Sequence, residues 1–160
     1  MNHVFTGTRF FDIKRTLLNQ AGYQIGEGTK IVGPIFNTGT LCIGRDCWIG
    51  RDLTIHGNGM VTIGDCCDIA PGVTFLTGGH QIGTQGRRAG VGETYSIHVG
   101  SGTWIGARAT ILGNITLGDG CVVASMACVN RNIPADTIVG GVPAKIIRSL
   151  ENESKIISEG

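Results

Sequence analysis

The chain has 160 residues, of which 41% are hydrophobic and 16% are charged, and its formal net charge at pH 7 is +1. This length fits one domain, and the near-neutral charge gives no reason to expect a nucleic acid or an anionic membrane surface as partner. No apolar run approaches the roughly 18 residues of a membrane span, and no charged and then apolar leader begins the chain, so we expect a cytoplasmic protein without a membrane span.

The first segment, residues 1–24, is predicted to be a helical cap. One helical face collects four apolar residues, which are Phe10, Ile13, Leu17 and Leu18. Gly22 follows them and suits the end of a helix. We expect this apolar face to cover the open first coil of the repeat that follows.

From residue 25 to residue 139, an aliphatic residue returns every six positions and is often followed by glycine. These first positions are residues 25, 31, 43, 49, 63, 69, 99, 105, 111, 117, 123 and 129. A period of six is typical neither of a helix nor of a half-buried strand. The next three positions collect Gly, Asp, Asn and Pro, which tolerate tight turns. Each hexad therefore predicts a short strand and a corner, and three hexads close one triangular coil.

Coils of this kind stack at the strand spacing of roughly 4.8 Å, so that every first-position side chain points into one shared core. The repeat thus predicts an all-β fold, a parallel β-helix. The spacing alone does not determine its hand.

The largest interruption of the repeat is residues 81–98, QIGTQGRRAGVGETYSIH, a polar and glycine-rich stretch without a hexad of its own. A smaller one, Ile55 to Thr62, carries two extra residues. Insertions in a solenoid leave the body at a corner. We therefore predict one extruded loop at 81–98, the usual place for functional residues.

The last segment, residues 140–160, is predicted to be a turn and a C-terminal helix. Gly140 and Gly141 suit the turn, and Pro143 is well placed to open a helix. Its apolar stripe would consist of Ile146, Ile147, Leu150 and Ile157.

Three of the six cysteines and both tryptophans have predicted structural roles. Cys47, Cys67 and Cys121 occupy fifth positions of hexads, where a small apolar side chain fits, and no C-x-x-C spacing occurs. We therefore expect no metal site. Trp48 and Trp104 occupy sixth positions that point outward, which favours packing between copies. A closed trimer suits the threefold cross-section.

His80 is the most suggestive histidine, because it follows two glycines at the root of the predicted loop. There it would face outward from a rigid coil beside a segment that can contact a ligand. Position alone leaves open that it is an ordinary solvated histidine of a turn.

Four stretches in chain order carry a family resemblance: IGDCCDIAPGVTFLTGGH, the loop end GETYS, WIGARATILGNITLGDGCVVASMACVNRNIP and VGGVPAKIIR. They resemble the hexapeptide-repeat acyltransferases, specifically the galactoside and maltose O-acetyltransferase branch and its relatives that acetylate capsule and exopolysaccharide sugars. The resemblance implies a left-handed β-helix, acetyl-CoA as acyl donor, a sugar or polysaccharide hydroxyl as acceptor, and a homotrimer with sites between subunits.

The resemblance also implies roles for individual residues. His80 stands where the family has its catalytic base, and a neutral imidazole can accept the proton of the attacking hydroxyl. The implied cofactor-binding residues are Trp104, Ala107, Ser125, Asn130, Arg131, Lys145 and Arg148. Asn130 and Arg131 replace the Thr-Lys pair that is usual there. The candidate acceptor-binding residues are Asp52, Arg87, Arg88 and Glu93, of which Asp52 stands near a family asparagine that is Gly50 here.

Other functions remain open at this point. Serine acetyltransferases and sugar N-acyltransferases use the same fold. A zinc hydratase of the carbonic anhydrase type needs three converging histidines, two of them close in sequence, and no such spacing occurs. A non-catalytic scaffold is the remaining alternative.

Overall fold

The computed structural model describes residues 7–151, which form one helix followed by short strands. Helix α1 spans Phe11–Gln20. The strands are β1 (Gln24–Ile25), β2 (Lys30–Ile31), β3 (Ile35–Asn37), β4 (Thr40–Ile43), β5 (Trp48–Ile49), β6 (Leu53–His56), β7 (Met60–Ile63), β8 (Asp68–Ile69), β9 (Thr74–Leu76), β10 (Gly78–Ile82), β11 (Ala89–Thr94), β12 (Ser96–Val99), β13 (Trp104–Ile105), β14 (Thr110–Leu112), β15 (Ile115–Leu117), β16 (Val122–Val123), β17 (Cys128–Val129), β18 (Thr137–Gly140) and β19 (Lys145–Ser149).

Three parallel sheets form the faces of a triangular solenoid. Face A contains β1, β4, β7, β12 and β15, face B contains β2, β5, β8, β13, β16 and β18, and face C contains β3, β6, β9, β14 and β17. The chain runs from face A to B to C and returns to A, which makes about six coils. The predicted parallel β-helix is confirmed, and its geometry is consistent with the left-handed form. We name the corners between faces the A/B, B/C and C/A edges.

The core consists of the first-position residues in stacked columns. All of them are buried, and within face A the column is Ile25, Ile43, Ile63, Val99 and Leu117. Phe75 on face C is the largest fully buried side chain. This burial of one aliphatic residue per hexad is the main source of stability of the coil.

The predicted structural cysteines lie inside the A/B edge together with threonines. Cys47 donates from Sγ to the carbonyl of Gly64 at 3.1 Å, and Cys121 donates to the carbonyl of Pro134 at 3.0 Å. Burial raises the pKa of the Cys121 thiol, which therefore remains a donor. These thiols satisfy corner carbonyls of the following coil.

Helix α1 covers the first coil with polar groups, contrary to the expectation. Phe10, Ile13 and Leu17 are 64%, 52% and 45% exposed, whereas Lys14 is buried. Of the four predicted apolar residues, Leu18 packs against the core. The physical reason is that backbone hydrogen bonds run in both directions between neighbouring coils, so each coil needs a partner on both sides. The carbonyls of the first coil that point away from the second coil therefore have no neighbouring coil and need donors from the cap.

Lys14 and Asn19 supply those donors. Lys14 Nζ donates to the carbonyls of Ile31 at 3.1 Å and Val32 at 3.2 Å. Asn19 Nδ2 donates to the carbonyl of Ile25 at 3.0 Å. Burial lowers the pKa of Lys14, so these carbonyls must compensate for the loss of water around the ammonium.

The predicted C-terminal helix is wrong within the described residues. Lys145–Ser149 forms strand β19, which pairs antiparallel with β18 at the end of face B. The last parallel strand leaves an open edge of backbone groups, and β19 pairs with that edge through main-chain hydrogen bonds. Ile157 lies outside the described residues.

The predicted loop at 81–98 is a β-hairpin with different limits. β10 and β11 pair antiparallel, with Gly78 opposite Thr94 and His80 opposite Gly92. Residues 96–98 belong to β12 within face A, because buried Ile97 continues the core. Among residues 7–151, no helix is long and apolar enough to cross a membrane.

Lys14→Met tests the polar cap. We expect the free energy of unfolding to fall by about 1–3 kcal/mol, because carbonyls of the first coil lose their donor. The matched control is Lys30→Met on exposed β2, for which we expect a change within about 0.5 kcal/mol. Urea denaturation followed by circular dichroism measures both. Equal stability of the two variants would show that Lys14 is not a capping residue.

Candidate active site

His80 lies on β10, in the hairpin that leaves the solenoid at the C/A edge between β9 and β12. Its side chain is exposed, and its Nδ1 lies 3.0 Å from the carbonyl oxygen of Gly90 on β11. A carbonyl can only accept, so in this contact Nδ1 carries the proton. The neutral ring is then left with its lone pair on Nε2. The sequence did not show what orients this ring. In the structure, the backbone carbonyl of Gly90 orients it.

A cleft of about 510 Å³ lies between the hairpin and the C/A edge. Its lining includes His56, Asn58, Leu76, His80, Glu93 and Thr94. Sequence reasoning missed His56 and Asn58 as site residues. The two-residue insertion between Ile55 and Thr62 was the signal that could have found them, because it enlarges this corner next to the hairpin.

Glu93 lies on the opposite face of the hairpin from His80. It pairs with Gly79, and successive strand residues face opposite sides. Its carboxylate accepts a hydrogen bond from Tyr95 Oη at 2.8 Å and another from Gln81 Nε2 at 3.2 Å. The bond to Glu93 raises the pKa of the Tyr95 phenol, because the carboxylate favours the protonated form. Both carboxylate oxygens of Glu93 are therefore engaged within the hairpin.

Arg87 and Arg88 lie in the turn of the hairpin, and both are exposed. Arg88 Nη1 donates to the carbonyl of Gly83 at 3.3 Å, within the same turn. The two guanidinium groups thus give the tip of the hairpin a positive charge.

Asp52, Ala107 and Ser125 lie on the B/C edge in three different coils. The N–H groups of Ala107 and Ser125 have no hydrogen-bond partner among residues 7–151. On the A/B edge, by contrast, Arg45 N donates to Asp65 Oδ1 and Ser101 N donates to Asp119 Oδ1, each at 2.7 Å. The B/C edge therefore presents free backbone donors to a ligand.

The remaining candidates are spread over the second half of the solenoid. Trp104 is 56% exposed on face B. Asn130 and Arg131 lie on the C/A edge, two coils beyond the hairpin. Lys145 and Arg148 lie on β19, which extends face B at its end.

One protomer does not bring these candidates together. His80 lies at the C/A edge, whereas Ala107 and Ser125 lie at the B/C edge, and a full face of the triangle separates the two edges. A site that uses residues of both edges needs two copies of the chain. Among residues 7–151, no three His, Cys, Asp or Glu side chains converge to hold a metal ion.

Residues 96–131 match the family described as bacterial transferase hexapeptide (six repeats). The galactoside O-acetyltransferase of Escherichia coli (strain K12) is 31% identical over 144 residues, which cover 89% of this chain and 71% of that protein. The chain belongs to the hexapeptide-repeat acyltransferases. This family assignment was predicted from the four stretches and is confirmed.

Two solved structures of hexapeptide-repeat acyltransferases resemble this one closely. A hexapeptide-repeat-containing acetyltransferase from Vibrio cholerae, complexed with acetyl coenzyme A, has a TM-score of 0.80 and 29% identity, over 91% of this chain and 81% of that one. A galactoside acetyltransferase in complex with coenzyme A has a TM-score of 0.78 and 30% identity, over 90% and 74% of the two chains. This hexapeptide-repeat acyltransferase is accordingly an enzyme, an acetyltransferase.

The raised pKa of Tyr95 is testable by absorbance titration. We expect phenolate absorbance of Tyr95 to appear at higher pH in the Tyr23→Phe background than in Tyr23→Phe/Glu93→Gln, because the glutamine lacks the negative charge that opposes ionisation. Tyr23→Phe removes the other tyrosine from the signal. Identical titration curves would mean that Tyr95 and Glu93 are not bonded in solution.

Proposed function

We propose that this acetyltransferase transfers the acetyl group of acetyl-CoA to a hydroxyl of a sugar or polysaccharide precursor, with His80 as general base. The observation that carries the proposal is the contact of His80 Nδ1 with the Gly90 carbonyl. It leaves Nε2 as the basic nitrogen of a side chain that lines a cleft. A base held in one tautomer is what proton abstraction from a hydroxyl requires.

The reaction proceeds by direct attack. His80 Nε2 accepts the proton of the acceptor hydroxyl while its oxygen adds to the thioester carbonyl, which forms a tetrahedral oxyanion. A backbone N–H stabilises this negative charge, and Ala107 N–H is the free donor that suits the role. The C–S bond then breaks, the imidazolium protonates the departing thiolate, and acetyl ester and CoA are released. No acyl-enzyme forms.

The donor lies along the B/C edge and the end of face B. Free N–H groups of Ala107 and Ser125 suit the amide carbonyls of the pantetheine arm. Lys145 and Arg148 are cations that suit the phosphates of CoA, and Arg131, on the C/A edge of the neighbouring subunit, is a third. Trp104, and Asn130 of the neighbouring subunit, complete the proposed donor site. The solved relatives with acetyl-CoA and CoA support the identity of the donor, and its supply favours a cytoplasmic location.

The acceptor lies in the cleft beside His80. Asn58 and His56 line this cleft and offer hydrogen bonds to sugar hydroxyls. Arg87 and Arg88 at the hairpin tip favour an acceptor with an acidic group. Asp52, on the B/C edge, reaches the acceptor from a neighbouring subunit.

The enzyme is a homotrimer with three sites between subunits. The C/A edge of one subunit, with His80, faces the B/C edge of the next, with Ala107. A threefold axis repeats this contact three times and closes the assembly. Exposed Trp48 and Trp104 on face B supply apolar surface for it.

His80→Ala tests the general base. We expect the rate of acetyl transfer to fall roughly 100- to 10,000-fold, because the hydroxyl loses its proton acceptor. Release of CoA thiol, measured over a panel of neutral and acidic sugars, reports the rate. His98→Ala is the matched control, since His98 lies on the outer side of β12, away from the cleft. An unchanged rate in His80→Ala would exclude the proposed mechanism.

Mixed trimers test the division of the site between subunits. His80→Ala removes the base, and Ala107→Trp is expected to fill the donor groove at the other edge. Trimers that contain both variants, purified through two different tags, should regain about one third of wild-type activity, because one of their three sites has both halves intact. Mixed trimers as inactive as either variant alone would place the whole site within one subunit.

A further inference from the structure

The strand that carries His80 is held from its rear face. Residues alternate between the two faces of a strand, so Gly79 and Gln81 point away from the side that His80 occupies. Gly79 lies against Tyr95, Gln81 bonds to Glu93, and the side chains of Tyr95 and Glu93 bond to each other. His80 is thus fixed in front by the Gly90 carbonyl and behind through its two neighbours in sequence.

The contact at Gly79 depends on the absence of a side chain. A Cβ at this position would lie 2.5 Å from Tyr95 Oη and 2.8 Å from Tyr95 Cε2. The phenol ring therefore lies directly on the backbone of β10. At Gln81 the amide nitrogen donates to Glu93 Oε1, while Tyr95 Oη donates to Glu93 Oε2. Glu93 thus connects the ring to the other neighbour of His80.

Tyr95 is itself anchored to the solenoid. Its N–H donates to the carbonyl of Thr77 at 2.8 Å, and its carbonyl accepts from Met60 N at 3.3 Å. Thr77 is fully buried. The Tyr95–Glu93 pair, which we call the brace, therefore links the rigid coil to a hairpin whose other side chains are mostly exposed.

We infer that Tyr95 and Glu93 are positioning residues for His80, which hold β10 and β11 in the register that brings Nδ1–H to the Gly90 carbonyl. The catalytic consequence rests on the proposed function, because it matters only if Nε2 is the base. Without the brace the hairpin shifts, the bond to Gly90 weakens, and the ring populates the tautomer that carries its proton on Nε2. That tautomer cannot accept the proton of a hydroxyl.

This inference replaces acceptor binding as the role of Glu93. Glu93 borders the cleft, but a carboxylate that recognises a sugar must direct free oxygens into it. Both oxygens of Glu93 instead have partners within the hairpin, on the face opposite to His80. Loss of a residue that binds the acceptor would be expected to raise KM for the acceptor, whereas loss of a positioning residue lowers kcat.

The direct experiment is NMR of protein labelled with ¹⁵N-histidine, at a pH where the imidazoles are neutral. Couplings between ring nitrogens and carbon-bound protons show which nitrogen of His80 carries the proton, and His80→Ala assigns the signals. We expect the Nδ1–H form in the wild type and a mixture of tautomers in Glu93→Ala. In the same variant, turnover should fall roughly 10- to 100-fold, with KM for acetyl-CoA unchanged.

Two variants act as controls. Glu93→Gln keeps an oxygen for Tyr95 and an amide that can pair with a rotated Gln81, so both tautomer and turnover should stay near wild type. Gln85→Ala changes an exposed turn residue of the same hairpin outside the brace, and should alter neither. If Glu93→Ala lowers the melting temperature strongly, Tyr95→Phe is used in its place. It removes only the Tyr95 hydroxyl that bonds to Glu93, and we expect the same mixture of tautomers.

The outcomes separate the inference from the function. A pure Nδ1–H tautomer in both Glu93→Ala and Tyr95→Phe overturns the brace, as does a loss of turnover in Glu93→Gln equal to that in Glu93→Ala. If His80→Ala transfers acetyl at the wild-type rate, the proposed function fails, while the tautomer comparison still decides whether Tyr95 and Glu93 position the ring.

Discussion

Stacking of the coils in register is the constraint on which the rest of the structure depends. Each coil donates backbone N–H groups to the carbonyls of the next, as Gly44 does to Ile63 and Gly64 does to Val99, both at 2.8 Å. Coils this close leave no space at the corners: a Cβ at Gly44 would lie 2.6 Å from the backbone of Gly64. The six-residue period and its glycines are therefore two consequences of one geometry, and positions along each edge repeat from coil to coil.

Repetition gives each edge its own chemistry. The A/B edge satisfies its N–H groups with carboxylates of the next coil, such as Asp65 and Asp119. The B/C edge leaves the N–H groups of Ala107 and Ser125 without partners in the described part of the chain. The C/A edge expands into the hairpin with His80. The solenoid is rigid, so the B/C and C/A edges of one subunit cannot approach each other. A reaction that needs His80 and the free N–H groups of the B/C edge therefore requires a second subunit. In this account oligomerisation is part of the active site.

The sequence predicted the features that repeat and missed those that end the repeat. Hexad periodicity gave the core columns, the outward tryptophans and the buried cysteines, because each follows from position within a coil. Helix α1 was oriented wrongly because apolar patterning does not reveal that an end coil needs donors such as Lys14. Strand β19 was mistaken for a helix because the residues Lys145–Ser149 have no periodicity of two, and pairing with β18 decides their conformation. Likewise, the tautomer of His80 depends on a carbonyl ten residues away, at Gly90, which only the fold brings near.

The central claim is that acyl transfer occurs where the C/A edge of one subunit meets the B/C edge of another. A crystal structure of the assembled protein with CoA tests it most directly. The account predicts three CoA molecules in the grooves between neighbouring subunits, with the pantetheine arm on Ala107 and Ser125 of one subunit and the sulfur beside His80 Nε2 of the next. A CoA molecule bound along a single subunit, with its sulfur remote from every His80, would contradict it.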